Sequence, residues 1–245
     1  MGMYSFKPQE QATLITGFLR DQLSGHKAVI GVSGGVDSAL VLALLSRSMP
    51  AERIVAVHLP ETGKEGTDYK DVMEISKTTG VHVEVIPMGG IADSFYRTLG
   101  VSDSRAAGNI KSRIRMTILY YLANINDGLV VGTTNRTEYI TGYYTKYGDG
   151  ACDLEPIMHL LKFQVRELAK FLGVPESIII KKPSAGLWEN QTDEAEIGMS
   201  YREMDDSITR IFDRKEPVSG ENDRRIMEMY DRSAHKRRMP ASLLS

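Results

Sequence analysis

The sequence predicts an α/β protein, with a doubly wound, mostly parallel five-stranded sheet, helices on both faces and further C-terminal helices. Short apolar runs rich in β-branched residues recur along the chain, as is typical of strands buried on both faces. Stretches with helical spacing of apolar residues separate these runs, and such alternation favours right-handed βαβ units. The runs are 28–32, 53–59, 81–86, 128–133 and, as the predicted fifth strand, "SIII" at 177–180.

Apolar spacing also predicts the helices that connect and flank these strands. They cover residues 8–23, 37–47, 67–79, 91–99, 106–125 and 162–172. From about residue 193 the chain is charged and helical in pattern, with a break at "KEPVSGEND" (215–223). A chain of 245 residues fits one domain over 1–245, in which 193–245 is a C-terminal helical segment.

The composition is that of a globular protein, with 42% hydrophobic and 25% charged residues. The formal net charge of -2 gives no overall basic field, so nucleic acid is not an expected partner. No apolar run approaches the roughly 20 residues of a membrane span, and the N-terminus lacks the layout of a signal peptide. One cysteine, Cys152, allows no intrachain disulfide, and no zinc-type Cys/His spacing is present. A cytoplasmic protein is therefore expected.

The stretch "SGGVDS", Ser33 to Ser38, lies between the first strand and the next helix. In one interpretation it is an ordinary turn, where Gly34 and Gly35 permit positive φ and Asp37 or Ser38 caps the helix. In the other, the glycines let backbone N–H groups approach a phosphate at the positively polarised helix N-terminus. The GxxxxGK[ST] and GxGxxG patterns are both missing, which excludes two familiar nucleotide loops.

The pattern SGG-x-DS after a strand resembles the pyrophosphate loop of the N-type ATP pyrophosphatases, whose fold is adenine-nucleotide α-hydrolase-like. The resemblance implies cleavage of ATP between its α- and β-phosphates, with the departing pyrophosphate held by the loop. It also implies that Asp37 binds Mg²⁺. A carboxylate alone would repel the triphosphate, whereas a carboxylate bridged to it by magnesium would not.

Further segments narrow the choice within that superfamily. Taken alone, Lys111, Arg113 and Arg115 could be a solvated helix face, and "HKRR" at 235–238 a solvated tail. Together with the first loop, however, the segments resemble the NAD synthetase family from about Ala28 to Ala241. They are "GNIKSRIRM" (108–116), "GTTNRTEYITGYYTKYGDGACDL" (132–154), "PSAGLWENQTDEAEIG" (183–198) and "HKRRMPA" (235–241).

The resemblance implies a role for each matching residue. ATP would be bound by Gly31, Val32, Ser33, Gly34, Gly35, Val36, Asp37, Ser38, Thr133, Lys162 and Ser184. Deamido-NAD would be bound by Arg113, Lys146, Asp153, His235 and Lys236. Mg²⁺ would be held by Asp37 and Glu138, which together with Asp153 form the candidate catalytic set. The cationic residues suit a polyanionic dinucleotide.

The implied reaction is ATP-dependent amidation of deamido-NAD to NAD through an adenylated carboxylate, with release of AMP and pyrophosphate. Asp153 is the candidate to hold or deprotonate ammonium, and the loops at 61–69 and 181–194 are candidate lids. The fold begins by Ala28, so we expect no amidase domain and direct use of ammonia, although a separate glutaminase could deliver it. A homodimer is expected, with the 106–126 helix and the N-terminal helix at its interface.

Two alternatives remain, one within the same superfamily and one from another class. The first is a tRNA-modifying ATP pyrophosphatase. Thiolating members commonly use catalytic cysteines, and lysidine-forming members need a large tRNA surface. A chain with one cysteine and a net charge of -2 fits neither. A nucleotide-binding protein without catalysis is disfavoured because both predicted magnesium carboxylates, Asp37 and Glu138, are present.

Overall fold

The computed structural model describes residues 6–62, 67–183 and 192–243. Its sheet confirms the predicted parallel α/β architecture, with the strand order β3-β2-β1-β4. The strands are β1 (Lys27–Gly31), β2 (Ile54–His58), β3 (Val83–Val85) and β4 (Gly128–Val130). Because all four run in the same direction, their carboxyl ends meet at one edge of the sheet, where ligands of such folds bind.

Helices connect the strands and continue beyond the sheet. They are α1 (Pro8–Gln22), α2 (Val36–Ser48), α3 (Thr67–Thr79), α4 (Gly89–Leu99), α5 (Ser104–Asn126), α6 (Arg136–Thr141), α7 (Lys162–Phe171), α8 (Glu176–Ile180), α9 (Asp193–Ile197), α10 (Tyr201–Ile208) and α11 (Gly220–Arg232). A π-helical turn, Thr209–Asp213, continues α10. Within the described residues, none of these helices has both the length and the apolar content of a membrane span.

Helices cover both faces of the sheet, as predicted. On β1, Ala28 and Ile30 join the core formed with α2, whereas Val29 packs with Ala123 of α5 on the opposite face. Helix α2 is apolar on nearly all sides because it lies between the sheet, α1 and α7. Because α2 is buried, its first residues, which follow the loop after β1, are held in a fixed position.

The predicted fifth strand at 177–180 is wrong, because these residues form helix α8 after Pro175. Ile178 is buried in the main core, while Ile180 is 72% exposed. A four-residue apolar run is as long as one helical turn, so its composition does not decide between helix and strand. The sheet has four strands in the described residues, and a single parallel bridge between Val131 and Leu154 covers the outer side of β4.

Helices α9, α10 and α11 build a second apolar cluster against α6 and the start of α7. It contains Ile140, Leu161, Ile197, Met199, Tyr201, Met204, Ile208 and Ile226. The C-terminal helices thus support the two short elements, α6 and the first turn of α7, that face the carboxyl edge of the sheet.

Candidate active site at the carboxyl ends of the strands

The loop between β1 and α2 is held in shape by its own serines. The Ser33 N–H donates to Oγ of Ser38 over 3.1 Å, and the Gly35 N–H donates to Oγ of Ser33 over 3.2 Å. Gly34 has φ +86°, and a Cβ there would lie 3.0 Å from the carbonyl oxygen of Asp68. The position therefore requires glycine for its backbone conformation and for the close approach of α3.

Helix α2 begins at Val36 without a side-chain cap, because Gly35 occupies the preceding position. The first N–H groups of a helix have no partner within the helix and carry partial positive charge. This end of α2 consequently suits an anion such as a phosphate group.

Beside this helix end, one lysine joins two carboxylates from distant parts of the chain. The Lys162 ammonium lies 2.6 Å from Oδ2 of Asp37 and 3.1 Å from Oε1 of Glu138. Its side chain is 3% exposed and passes over the ring of Tyr201, 4.8 Å from the centroid. The structure thus brings together three residues that the sequence analysis assigned to ATP and magnesium.

Asn135, which the sequence analysis did not single out, orders both carboxylates. Its side-chain amide donates to Oδ1 of Asp37 over 2.9 Å. It also caps α6: its Oδ1 accepts from the Glu138 N–H at 3.0 Å, and Oε2 of Glu138 accepts from the Asn135 N–H at 3.3 Å. This reciprocal capping box has a local signal, Asn followed by Glu three residues later, so "NRTE" could have identified the helix.

The protonation states of this cluster are coupled. Burial raises the pKa of Glu138, and the nearby Lys162 opposes that shift. Burial lowers the pKa of Lys162, but Asp37 and Glu138 outweigh burial and raise it. The lysine therefore keeps its proton, and with both carboxylates ionised the three groups carry one net negative charge.

The donor set fits magnesium in its chemistry. Mg²⁺ prefers oxygen ligands and usually takes one or two carboxylates with phosphate oxygens and water. Asp37 and Glu138 supply two carboxylates, both of which are paired with the Lys162 ammonium in this structure. The described residues contain no group of three or more His, Cys, Asp or Glu side chains arranged around a metal. The remaining ligands of an ion held here would come from the nucleotide and from water.

Glu155 is a half-buried carboxyl near the end of β4, and the sequence analysis did not identify it. Its Oε2 accepts from the Thr134 N–H at 3.1 Å, next to the half-buried Thr133. Burial raises the pKa of Glu155 to about 7. Burial also raises the pKa of the neighbouring Cys152 thiol, which packs with Val130 on the α5 face. That cysteine is a packing residue.

The residues expected to bind deamido-NAD gather around the segment after α6. Arg113 is exposed on α5 and donates to the carbonyl of Lys146 over 3.3 Å. The Lys146 ammonium donates to the carbonyl of His235 over 2.6 Å. Lys236 donates to the carbonyls of Gly142 and Tyr144, where α6 ends. The basic "HKRR" run is therefore docked against this segment and is not a free tail.

Asp153 is engaged by the sheet. Its Oδ2 accepts from the Val130 N–H at 2.7 Å, and its Oδ1 accepts from the Tyr120 hydroxyl at 3.3 Å. Burial, and after it the negative charge of Asp153, raise the pKa of the Tyr120 hydroxyl to about 12. The carboxylate closes the outer edge of β4 in this structure.

The two predicted lid loops are described only in part, since residues 63–66 and 184–191, including the predicted ATP ligand Ser184, lie outside the described residues. At their described ends, the Lys181 ammonium pairs with Asp68 at 2.5 Å and with Asp71 at 2.6 Å. These ion pairs join the approaches to both loops beside Gly34.

The chain is similar to known proteins over nearly its whole length. The sequence model of the NAD synthase family matches residues 10–240. An NH(3)-dependent NAD(+) synthetase from Thermoplasma acidophilum is 53% identical over 229 residues, which are 94% of this chain and 95% of the relative. These matches extend over nearly the whole chain, including the β1 loop and the segments around α6 and α7.

Solved structures of two related synthetases have the same fold as this chain. An NMN synthetase from Francisella tularensis superposes with a TM-score of 0.88 at 34% identity, covering 98% of this chain and all, 100%, of that one. An NH3-dependent NAD synthetase from Campylobacter jejuni, in complex with the nitrate ion, gives 0.84 at 26% identity, covering 97% and 99%. Sequence and fold therefore agree that the chain belongs to the NAD synthase family.

Proposed function

We propose that this chain is an ammonia-dependent NAD synthetase, which converts deamido-NAD to NAD at the expense of ATP. The observation that carries the proposal is the cluster of Asp37, Glu138 and Lys162 beside the open N-terminus of α2. It offers two carboxylates for a cation and one ammonium for phosphate oxygens, at the sheet edge where a nucleotide binds.

The reaction has two chemical steps. The nicotinate carboxylate of deamido-NAD attacks the α-phosphorus of ATP, and pyrophosphate leaves. Ammonia then attacks the carbonyl carbon of the acyl-adenylate, and AMP leaves with the electron pair of the C–O bond. No covalent intermediate with the protein is needed, so the chain acts mainly by orientation and charge stabilisation.

The roles proposed for individual residues are those that the family resemblance implies. The β1 loop and the N–H groups at the start of α2 bind the phosphates, and Lys162 supplies positive charge where charge develops. Asp37 and Glu138 would hold Mg²⁺, which would neutralise phosphate charge. Arg113, Lys146, His235 and Lys236 bind deamido-NAD, and Thr133 and Ser184 contact ATP. Asp153 is assigned to ammonium, a role that requires one of its present hydrogen bonds to be exchanged.

The proposal includes a homodimer. A groove of about 260 Å³ between α4 and α5 is lined by Ile91, Phe95 and Leu99, which are 45%, 46% and 63% exposed. Leu14 on α1 is 60% exposed. Clustered exposed apolar side chains favour an interface between chains. Sedimentation of the wild type and of Phe95→Asp tests this; a wild-type monomer would contradict the dimer.

A cytoplasmic location also belongs to the proposal, because the reaction consumes ATP and dinucleotide. The nitrogen donor is ammonia, supplied free or by a separate glutaminase. If glutamine alone supports the purified chain as well as ammonium does, direct use of ammonia is contradicted.

The deciding experiment mixes the protein with ATP, Mg²⁺, ammonium and deamido-NAD, and separates the products by chromatography. NAD and AMP are expected in equal amounts. Nicotinate mononucleotide is tested in parallel, because the solved NMN synthetase superposes closely on this chain. A preference for the mononucleotide would reassign the substrate, whereas release of ADP would reject the pyrophosphatase chemistry altogether.

Magnesium binding is tested with Asp37→Asn and Glu138→Gln. Each variant should lower turnover and require more Mg²⁺ for half-maximal rate, because each loses a negative ligand oxygen. Asp21→Asn, on the exposed surface of α1, is the matched control. An unchanged magnesium requirement in both site variants would remove these carboxylates from the metal site.

A further inference from the structure

Asp205 is a buried carboxylate outside the cluster that carries the chemistry. It lies on α10 and is 3% exposed. No cationic side chain among the described residues forms an ion pair with it; hydrogen bonds stabilise its charge first, and the charge of Lys162 adds a smaller attraction. A buried charge of this kind is costly unless its hydrogen bonds are well formed, and such a residue therefore has a defined structural task.

That task is to cap helix α7 from a distance. Oδ2 of Asp205 accepts from the Phe163 N–H at 3.0 Å. Oδ1 accepts from the Thr137 hydroxyl, whose oxygen in turn accepts from the Lys162 N–H at 3.0 Å. The residue before α7 is Leu161, which has no side chain able to cap. A carboxylate 42 residues downstream of Phe163 thus replaces the missing local cap.

The same carboxylate fixes both elements that carry the charged cluster. Through Phe163 and the backbone of Lys162 it holds the first turn of α7. Through Thr137, which is fully buried at 0% exposure, it holds the residue before Glu138 on α6. In the described part of the chain, Asp205 itself forms no hydrogen bond or ion pair with Asp37, with Glu138 or with the Lys162 ammonium, whose charge reaches it only at longer range.

We propose that Asp205 is a positioning residue, which sets the Lys162 ammonium between Asp37 and Glu138 by capping α7 and anchoring α6. The inference rests on the proposed function for its kinetic consequence. Its structural content, the placement of the first turn of α7, is independent of which reaction the chain performs.

The first test compares Asp205→Asn with Asp223→Asn. Asp223 is also fully buried in the C-terminal helices, but its partners are Arg210 and the Ser219 N–H. In Asp205→Asn an amide N–H₂ replaces one acceptor, so kcat should fall about 10- to 100-fold while KM for deamido-NAD stays within about twofold. Asp223→Asn should keep kcat within about twofold, even if it lowers Tm as much.

Hydrogen exchange supplies a readout that needs no activity. The amides of Lys162 and Phe163 should exchange faster in Asp205→Asn than in the wild type or in Asp223→Asn. The proposal is overturned if these amides exchange as in the wild type, if kcat is retained, or if Asp223→Asn loses kcat equally. A wild type without NAD synthetase activity would instead reject the proposed function, and the exchange result would still decide the role of Asp205.

If Asp205→Asn does not fold, Thr137 carries the test. Thr137→Ser keeps the hydroxyl, whereas Thr137→Val keeps the shape and removes it. In the serine variant, kcat should be retained and the Lys162 amide should exchange as slowly as in the wild type. In the valine variant, kcat should fall and the Lys162 amide should exchange faster. Equal behaviour of the two variants would overturn the proposal, because the hydroxyl bridge would then be dispensable.

Discussion

The Lys162 ammonium lies 2.6 Å from a carboxylate oxygen of Asp37, although 125 residues separate the two in the chain. Asp37 stands in the first turn of α2 and Lys162 is the first residue of α7, so the contact joins the starts of two packed helices. Glu138 completes the cluster from the third helix start, α6. The relative positions of the three charged groups therefore depend on how the N-termini of these three helices pack together.

Replacing Lys162 by Met should lower kcat at least about 100-fold, because the positive charge beside the phosphate site is lost. Stability should also become more dependent on pH. Without the ammonium, burial raises the pKa of Glu138 unopposed, so its stabilising contribution is present at low pH and is lost as pH rises through that pKa.

Steady-state kinetics and melting curves at pH 6 and pH 9 check both expectations. Lys77→Met, at an exposed position of α3, is the matched control and should change neither. If Lys162→Met turns over at more than about a tenth of the wild-type rate, the ammonium is not central to catalysis.

Replacing Gly34 by Ala should weaken ATP binding. Gly34 and Gly25 have nearly the same dihedral angle, φ +86° and +87°, but a Cβ at Gly25 meets nothing within 4 Å. Each Gly→Ala change should therefore cost about 1 kcal/mol from the left-handed backbone. Only Gly34→Ala also pushes against the backbone of Asp68, so it alone should raise KM for ATP, by about tenfold or more.

Thermal melts and initial rates of both alanine variants test this difference. An equal KM for ATP in Gly34→Ala and Gly25→Ala would show that the loop tolerates a displacement at this point.

Replacing Glu155 by Gln should remove a pH-dependent loss of stability. Burial raises the pKa of Glu155 from its ordinary 4.5 to about 7. The folded protein then holds a proton that the unfolded chain releases, so stability falls as pH rises from about 4.5 to 7 and levels off above that range.

The Gln variant lacks this group, so its Tm relative to the wild type should increase by about 2–5 °C between pH 5 and pH 8. Glu84→Gln, exposed on β3, controls for the lost charge. A constant difference in Tm between the Gln variant and the wild type would mean that Glu155 ionises normally in the folded protein.

Replacing Arg113 by Ala should chiefly raise KM for deamido-NAD, because the guanidinium is exposed beside the segment that gathers the other dinucleotide candidates. A loss of one charge-assisted contact corresponds to about 1.5–3 kcal/mol, or roughly 10- to 100-fold. Arg224→Ala, on the exposed face of α11, is the control. An effect confined to KM for ATP would show that Arg113 faces the other substrate.

The strands and the β1 loop could be predicted because their signals are local. Continuous apolar runs identify buried strands, and the glycines and serines of the loop follow one another in the chain. The strand predicted at 177–180 was wrong because a run of Ser and three Ile residues fits a strand and a helical turn equally well. Its outcome depends on Pro175 and on the core position of Ile178.

The contacts that assemble the site could not be read from local patterns. The resemblance named Asp37, Glu138 and Lys162, but it gave no indication that the lysine bridges the two carboxylates. Asn135 had a local signal in its capping box. Asp205 had none, because its partners Thr137 and Phe163 become neighbours only when α6, α7 and α10 pack together.

The outer edge of β4 is covered by hydrogen bonds within the chain, which bears on how chains associate at high protein concentration. The Val130 N–H is taken by the Asp153 carboxylate, and the Gly132 N–H donates to the carbonyl of Leu154 over 2.7 Å. An open edge strand presents such groups to other molecules and can template intermolecular β-pairing. By covering a three-residue strand with a charged side chain and one bridge, the fold limits aggregation through this edge.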